Sequence, residues 1–278
     1  MTRTGNPHHA NAVYSTVSNG GATATSVITA SWSRSLVYYG LDPDHTRPPE
    51  RLTQPEFDAA CEKSELLVRQ SQAEMDRLFH MVGEAGGCVL LTDRDGVPLV
   101  RRGLAGDNAD FRRFGLWTGV VWSEASGGTN GIGTCLAEAR ALTIHRDQHF
   151  LTRNIGLSCS AAPIWDAQGR LAGALDVSTC RADLTAATLK LIAAATVEAA
   201  HRIEATHFRA AFPHARIIVA DTDRGTGALL AVDREDLVVG ASRAARLAFN
   251  LTDQRLATPF PANRSEEHTS ELQSRFGI

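Results

Sequence analysis

No apolar run in these 278 residues approaches the ~18–20 that a membrane helix needs. The first stretch, Met1 to Gly21, is polar and lacks the apolar centre of a secretion signal. A cytoplasmic protein without membrane contact is therefore expected. Charge of one sign is not in excess either. Lys and Arg total 28 against 31 Asp and Glu, a net charge of −3. That excludes a chain-wide basic surface for nucleic-acid phosphates, though not a local patch. Cysteine is sparse. Cys61, Cys88, Cys135, Cys159 and Cys180 are odd in number and scattered, and no two have C-x-x-C spacing. A secreted disulfide framework is excluded, and a metal or redox pair has no strong signature.

What is present is ordinary for a globular chain: 43% hydrophobic and 21% charged residues, enough for one large domain or two smaller ones. Residues 1–25, rich in Thr, Ser, Gly, Asn and His, can bury little and are expected to be disordered. From Ser26 the pattern is helical, with Ile28, Trp32 and Leu36 on one face, and Gly40 with Asp42-Pro43 ends it. Thr53-Gln54-Pro55-Glu56 reads as a capping box that opens one long helix to about Val82. Three strand–turn–strand units follow. Cys88–Thr92 turns at Asp93–Gly96, Ala161–Trp165 at Asp166–Gly169, and Leu229–Val232 at Asp233–Asp236. Pro98 cannot donate to a ladder, so the second strand should lie at a sheet edge. Helical stretches separate the hairpins, which predicts an antiparallel α+β architecture. Leu142–Ile144 is a further strand. An alanine-rich helix, capped by Asp183, should run to about His207 as the lid of a sheet face, a dimer seam, or both.

Several segments invite catalytic readings, and each lacks a required part. Gly127 to Thr134 has the glycines of a phosphate loop, but Thr134-Cys135 stands where Lys and a hydroxyl residue are needed. A dinucleotide fingerprint fails at Leu136, where a third glycine should be. The glycines instead suggest tight turns and helix-terminal amides near a pocket. His145 and His149 are spaced i, i+4, but Arg146 replaces the general-base Glu of zinc proteases. Cys135 at a helix start with His145 could be a nucleophile pair, yet nothing supplies a third orienting group. No catalytic residue, metal ligand or cofactor is assigned.

One multi-part motif is more specific. Ser31-Trp32-Ser33-Arg34-Ser35-Leu36 with Gly40-Leu41-Asp42-Pro43 leads into Phe114-Gly115-Leu116-Trp117, Trp122-Ser123-Glu124 and Gly128 to Leu136. His145 to Phe150, Ser158 to Ile164 and Leu175-Asp176-Val177-Ser178 complete it. This resembles the N-terminal sensory region of acetoin-catabolism-type sigma-54-dependent regulators of the Fis family, built on a GAF domain, across roughly residues 26–205. The resemblance implies a six-stranded antiparallel sheet with helices on one side and a ligand cavity on the other. Family members continue into an ATPase with a P-loop and a helix-turn-helix. This chain is read as stopping before both.

The resulting expectation is a GAF-type α+β sensor. Its parts are a helical lead at 26–82, a GAF domain with exit helix at 83–207, a partial PAS-like connector at 208–262, and a non-native tail at 263–278. The tail wording, Ser265 to Ser274, resembles translated adapter read-through. The expected partners are a small-molecule effector and a second copy in a homodimer, with DNA and sigma-54 polymerase reached only through missing domains. Candidate pocket walls are Trp117, Trp122, Asn130, Thr134, Cys135, His145, His149 and Cys159, between the sheet and the segment from Trp117 to Phe150. The rival readings are a redox- or metal-sensing GAF module, a GAF-fold redox enzyme using cysteines, and a docking module with a filled pocket.

Overall fold

The computed structural model describes residues 7–19, 26–220 and 227–262. Two compact units are present, one of residues 1–163 with 172–200 and one of residues 164–171 with 201–278.

The first unit opens with a correction. Within the stretch expected to be disordered, Pro7–Asn19 forms a helix, α1. Its anchors are tertiary. Val13 is buried against Phe150 and Leu151, with Trp32, Leu36 and Leu41 packed on the same cluster. His9 Nε2 donates to the His149 carbonyl at 2.9 Å. Helix α2, Val27–Ser33, is capped by the Ser26 hydroxyl and loosens into a π turn at Arg34–Tyr38. The single long helix expected next is two helices, α3 (Gln54–Lys63) and α4 (Glu65–Val82). They break at Ser64, whose backbone leaves the helical region at ψ 12°. Glu56 accepts from the Thr53 amide at 2.8 Å, as the capping pattern requires.

Strands β1 (Gly87–Asp93) and β2 (Pro98–Arg102) form the first hairpin. After α5 (Asn108–Phe114), α6 (Glu124–Gly127) and α7 (Gly131–Glu138) come β3 (Leu142–His145), β4 (Ser158–Trp165) and β5 (Leu171–Thr179). The sheet order is β2-β1-β5-β4-β3, with Pro98 on an edge strand as expected. The described sheet has five strands, where the resemblance implied six. Beyond β2, among the described residues, the Gly119 and Trp122 amides donate to the Pro98 and Gly96 carbonyls at 3.0 Å each. Proline offers a carbonyl but no N–H, so a full ladder cannot continue there.

Alternation along the strands divides the two faces. One face carries Gly87, where a Cβ would stand 3.3 Å from the Val82 side chain of α4 and 3.4 Å from that of Val177 of β5. The other carries Cys88 and Leu90 of β1 with Cys159 of β4. These are buried under Phe111, Leu116, Trp122, Ile132 and Leu157. Helix α8, Ala186–Ala211, extends past the expected end at His207. Its cap is Thr185, whose hydroxyl accepts from the Thr188 amide at 3.1 Å. The expected cap, Asp183, is instead paired with Arg181 at 2.8 Å.

The second unit holds β6 (Arg216–Ala220), β7 (Ala228–Val232), β8 (Leu237–Ala241), α9 (Arg243–Ala248), α10 (Asp253–Leu256) and β9 (Phe260–Pro261). The sheet order is β6-β7-β8-β9. Leu230, Val232, Val238 and Ala245 centre one core cluster, and Phe208, Leu229, Ala231 and Ala167 another. All three predicted hairpins form, and they share one device. The leading aspartate accepts amide bonds from residues two and four ahead: Asp93 from Asp95 and Val97, Asp166 from Gln168 and Arg170, Asp233 from Glu235 and Leu237. The fourth turn residue is left-handed in each, at Gly96 (φ 81°), Gly169 (φ 74°) and Asp236 (φ 58°). Aspartate is among the few L-residues that tolerate this. The segment 263–278, read above as a non-native tail, lies outside the described residues, as do 1–6 within the N-terminal stretch.

Candidate functional site

The glycine-rich segment builds its turns from its own side chains. Ser123 caps α6. Asn130 caps α7: its Oδ1 accepts from the Gly133 amide at 2.8 Å, and its Nδ2 donates to the Trp122 and Gly128 carbonyls at 3.0 and 2.8 Å. Three bonds make Asn130 the clasp of the segment. The helix starts at Gly131, a turn before Cys135, which was expected at its start, because Asn130 supplies the cap. Gly131 is required by close approach. A Cβ there would stand 2.5 Å from the Cys159 Cβ and 2.9 Å from Asp176 Oδ1.

Behind this clasp lies a buried charged network. Glu124, 3% exposed, takes a bidentate bond from Arg34, Nε to Oε2 at 2.9 Å and Nη2 to Oε1 at 3.0 Å. Arg34 Nη2 also pairs with Glu138 at 2.7 Å. The Ser31 hydroxyl donates to Glu124 and lies 2.6 Å from the Thr129 hydroxyl and 3.3 Å from that of Thr134. The two carboxylates hold the Arg34 guanidinium's proton more tightly than usual. This ties the helical lead to the glycine-rich segment, and it gives the Ser31–Arg34 and Trp122–Glu124 motifs a structural reason.

On the inner sheet face a file of polar groups runs from β5 to the loop after β3. Asp176 Oδ2 and the Ser178 hydroxyl are 2.6 Å apart, Ser178 Oγ and Cys159 Sγ 3.0 Å, and Cys159 Sγ and His149 Nε2 3.5 Å. His149 Nδ1 donates to the Arg146 carbonyl at 2.9 Å. All four side chains are buried. Burial pushes the Asp176 carboxyl up to about 7, against a smaller opposing effect of the Ser178 bond. Burial also holds His149 neutral, lowered to about 4, and raises the Cys159 thiol well above its ordinary value. A consistent proton order follows when Asp176 is protonated. Asp176 donates to Ser178, Ser178 to Cys159, Cys159 to His149, and His149 to the backbone. If Asp176 ionises, the Ser178 proton must turn to it and the order breaks. The other oxygen, Asp176 Oδ1, is buried and unsatisfied.

The eight expected wall residues divide by surroundings. Asn130, Thr134, His149 and Cys159 belong to the clasp or the polar file. Trp122 donates to the Gly115 carbonyl at 2.9 Å and fills the core. Cys135 packs against Ala161 and Ala174. His145 Nδ1 is 2.7 Å from the Ser158 hydroxyl, so its described bond is to serine rather than to Cys135. Burial raises the Cys135 thiol, with Asp176 adding to the effect, so its place in the helix does not make it a thiolate. Trp117 is half-buried, with Arg101 and Arg112 on its ring at 4.4 and 4.0 Å. Sequence reasoning did not single out Arg34, Arg101, Glu124, Asp176 or Ser178 as site residues. Arg34, Glu124, Asp176 and Ser178 stand in the motif blocks, which could have raised them; Arg101 stands in none.

A hollow of about 250 Å³ lies beside Phe111, Cys180 and Arg181, with Glu84, Asp107 and Asp110 at its walls. None of the eight residues lines it. All five cysteines are free thiols. Among the described residues no group of three His, Cys, Asp or Glu is placed to hold a metal. No described helix is long and apolar enough to cross a membrane.

An antiparallel sheet backed by helices on one face, with a covered polar interior on the other, defines the α+β class. Residues 67–203 match the sequence model of the GAF domain, and this segment belongs to that family. The chain is 34% identical over 227 residues to the acetoin catabolism regulatory protein of Cupriavidus necator, covering 80% of this chain and 34% of that protein. It is 31% identical over 151 residues to the acetoin dehydrogenase operon transcriptional activator AcoR of Bacillus subtilis, covering 54% and 25%. The chain thus spans about a third or less of these relatives' length. The crystal structure of the E. coli DhaR(N)-DhaL complex superposes with a TM-score of 0.59 at 17% identity, covering 81% of this chain and 76% of that one, and shares its fold.

Proposed function

We propose that this chain is the effector-sensing region of a bacterial sigma-54-dependent transcriptional activator. It binds a small organic metabolite on the inner face of the GAF sheet and passes occupancy on through α8. The unit from 208 to 262 is then a PAS-like connector. The setting is cytoplasmic, the assembly a homodimer, and DNA and polymerase are engaged by ATPase and helix-turn-helix domains such as the resembled family carries. The observation that carries this reading is the polar file under the glycine-rich segment, ending in the unsatisfied Asp176 Oδ1. An unpaired buried polar atom costs about 1–3 kcal/mol. A ligand hydroxyl could complete it by donating to Oδ1, and a side chain selected only for packing would not carry it. Of the eight nominated residues, Asn130, Thr134, His149 and Cys159 then shape the clasp and file around the ligand rather than perform chemistry.

The test is thermal denaturation with acetoin, short diols, small ketones and aromatic alcohols. A melting temperature that rises with concentration of one of them supports sensing, since a ligand selective for the native state stabilises it by mass action. No stabilisation by any small molecule would refute it in favour of a docking module.

A further inference from the structure

We propose that the effector, on the sensing reading above, is a small carboxylate whose anionic group is held by Arg101 against Trp117. The register puts Arg101 on the receptor face. Leu90 of β1 pairs with Arg101 of β2 on one side and with Asp176 of β5 on the other, so the three share one cross-strand row. Arg101 Nη1 donates to Asn108 Oδ1 at 2.9 Å. Its Nε and Nη2 are buried and make no hydrogen bond. The guanidinium lies 5.2 Å from the Phe111 ring and 4.4 Å from that of Trp117, and Arg112 lies 4.0 Å from the same indole. Two guanidinium groups thus share one indole, and among the described residues neither is ion-paired. Desolvation weakens Arg101's hold on its proton and the neighbouring Arg112 adds to it, while the adjacent Cys88 thiol and Asp107 act against it.

Gly103 makes room for this head group. Any Cβ there would run into Arg101 Nη2. Two free donors, a stacked plane and a second cation are what a planar carboxylate needs, because guanidinium recognises it in a fork of parallel bonds. A cation–π role alone would explain the rings but not the two unused N–H groups. The hollow beside Phe111 is not the anion site, since Glu84, Asp107 and Asp110 would repel the charge.

The experiment compares sodium propionate and sodium pyruvate with propionamide by calorimetric titration of the full chain, and repeats it with Arg101→Met and Arg101→Lys. The acids should bind at least ~10-fold more tightly than the amide, and Arg101→Met should lose that preference. Arg101→Lys, which keeps the charge without the fork, should fall between. The Arg101 Nε–H resonance of the unaltered protein should shift with propionate and not with propionamide, which decides the matter even if a variant fails to fold. Equal binding of acid and amide, an unchanged Nε–H signal, or full affinity in Arg101→Met would overturn the assignment. Stabilisation by neutral metabolites but by no carboxylate would sink this inference and leave the sensing reading standing. No ligand of either kind would sink both.

Discussion

Replacing Asp176 by Asn should change the pH dependence of stability in a direction set by burial. In the folded protein the carboxyl is raised to about 7 from an ordinary 3.8. Between these values the native state keeps a proton that the unfolded chain has released. The native state therefore binds more protons, and wild-type stability falls as pH rises through this window. The cost is absent below pH 4 and complete above 7. Three decades at ~1.4 kcal/mol each give an upper bound of about 4 kcal/mol. Structural relaxation and water penetration lower the practical figure below that bound. Asn preserves the shape and can donate to Ser178 as the protonated acid does, so it should be near neutral below pH 4, increasingly favoured from pH 5 upward, and stabilising at pH 8. His149 has the opposite sign. Lowered to about 4, it is neutral in the native state, while the unfolded chain takes up a proton below about 6.5, so acid removes stability there. Both proteins retain His149, and the difference between them isolates Asp176. Urea titrations at pH 5, 6, 7 and 8 measure it. A difference independent of pH, or a variant that becomes less stable than wild type as pH rises, would refute the placement of a neutral carboxyl in this interior.

Three further outcomes follow from the same geometry. Asn130→Ala removes a helix cap and two donated bonds to buried carbonyls, and should destabilise by about 2–3 kcal/mol in urea; a loss under 0.5 kcal/mol would deny its clasp role. Arg34→Ala leaves the Glu124 carboxylate buried without its cation and should cost about 2–3 kcal/mol, with Arg34→Lys recovering only part of it for want of the bidentate fork. Native thiol titration at pH 8 should modify Cys61 first and Cys180 slowly, its thiol raised to about 11 by burial, with Cys88, Cys135 and Cys159 reacting only on unfolding. Rapid labelling of those three would favour the redox readings.

What the sequence determined by itself was local. Each Asp-led turn is specified within five residues, because the aspartate and the amides it binds are neighbours in the chain. The three hairpins, the edge position of Pro98 and the capping box at Thr53 were legible for that reason. The motif blocks made the GAF fold legible as a resemblance. Long-range partners decided the rest. Helix α1 has no strong periodicity of its own and is held by Val13 in a cluster with Phe150, a contact no window around residue 13 can show. The break at Ser64, the Thr185 cap and the five-strand count likewise depended on packing and on which donors were already used. The site shows the same division. Asn130 was nominated from its place among glycines, and its bonds reach only from residue 122 to 133. Arg101, Glu124 and Asp176 acquire meaning only when Trp117, Arg34 and Gly131 arrive from elsewhere in the chain. Burial sets their charge states, and burial is a property of the tertiary structure.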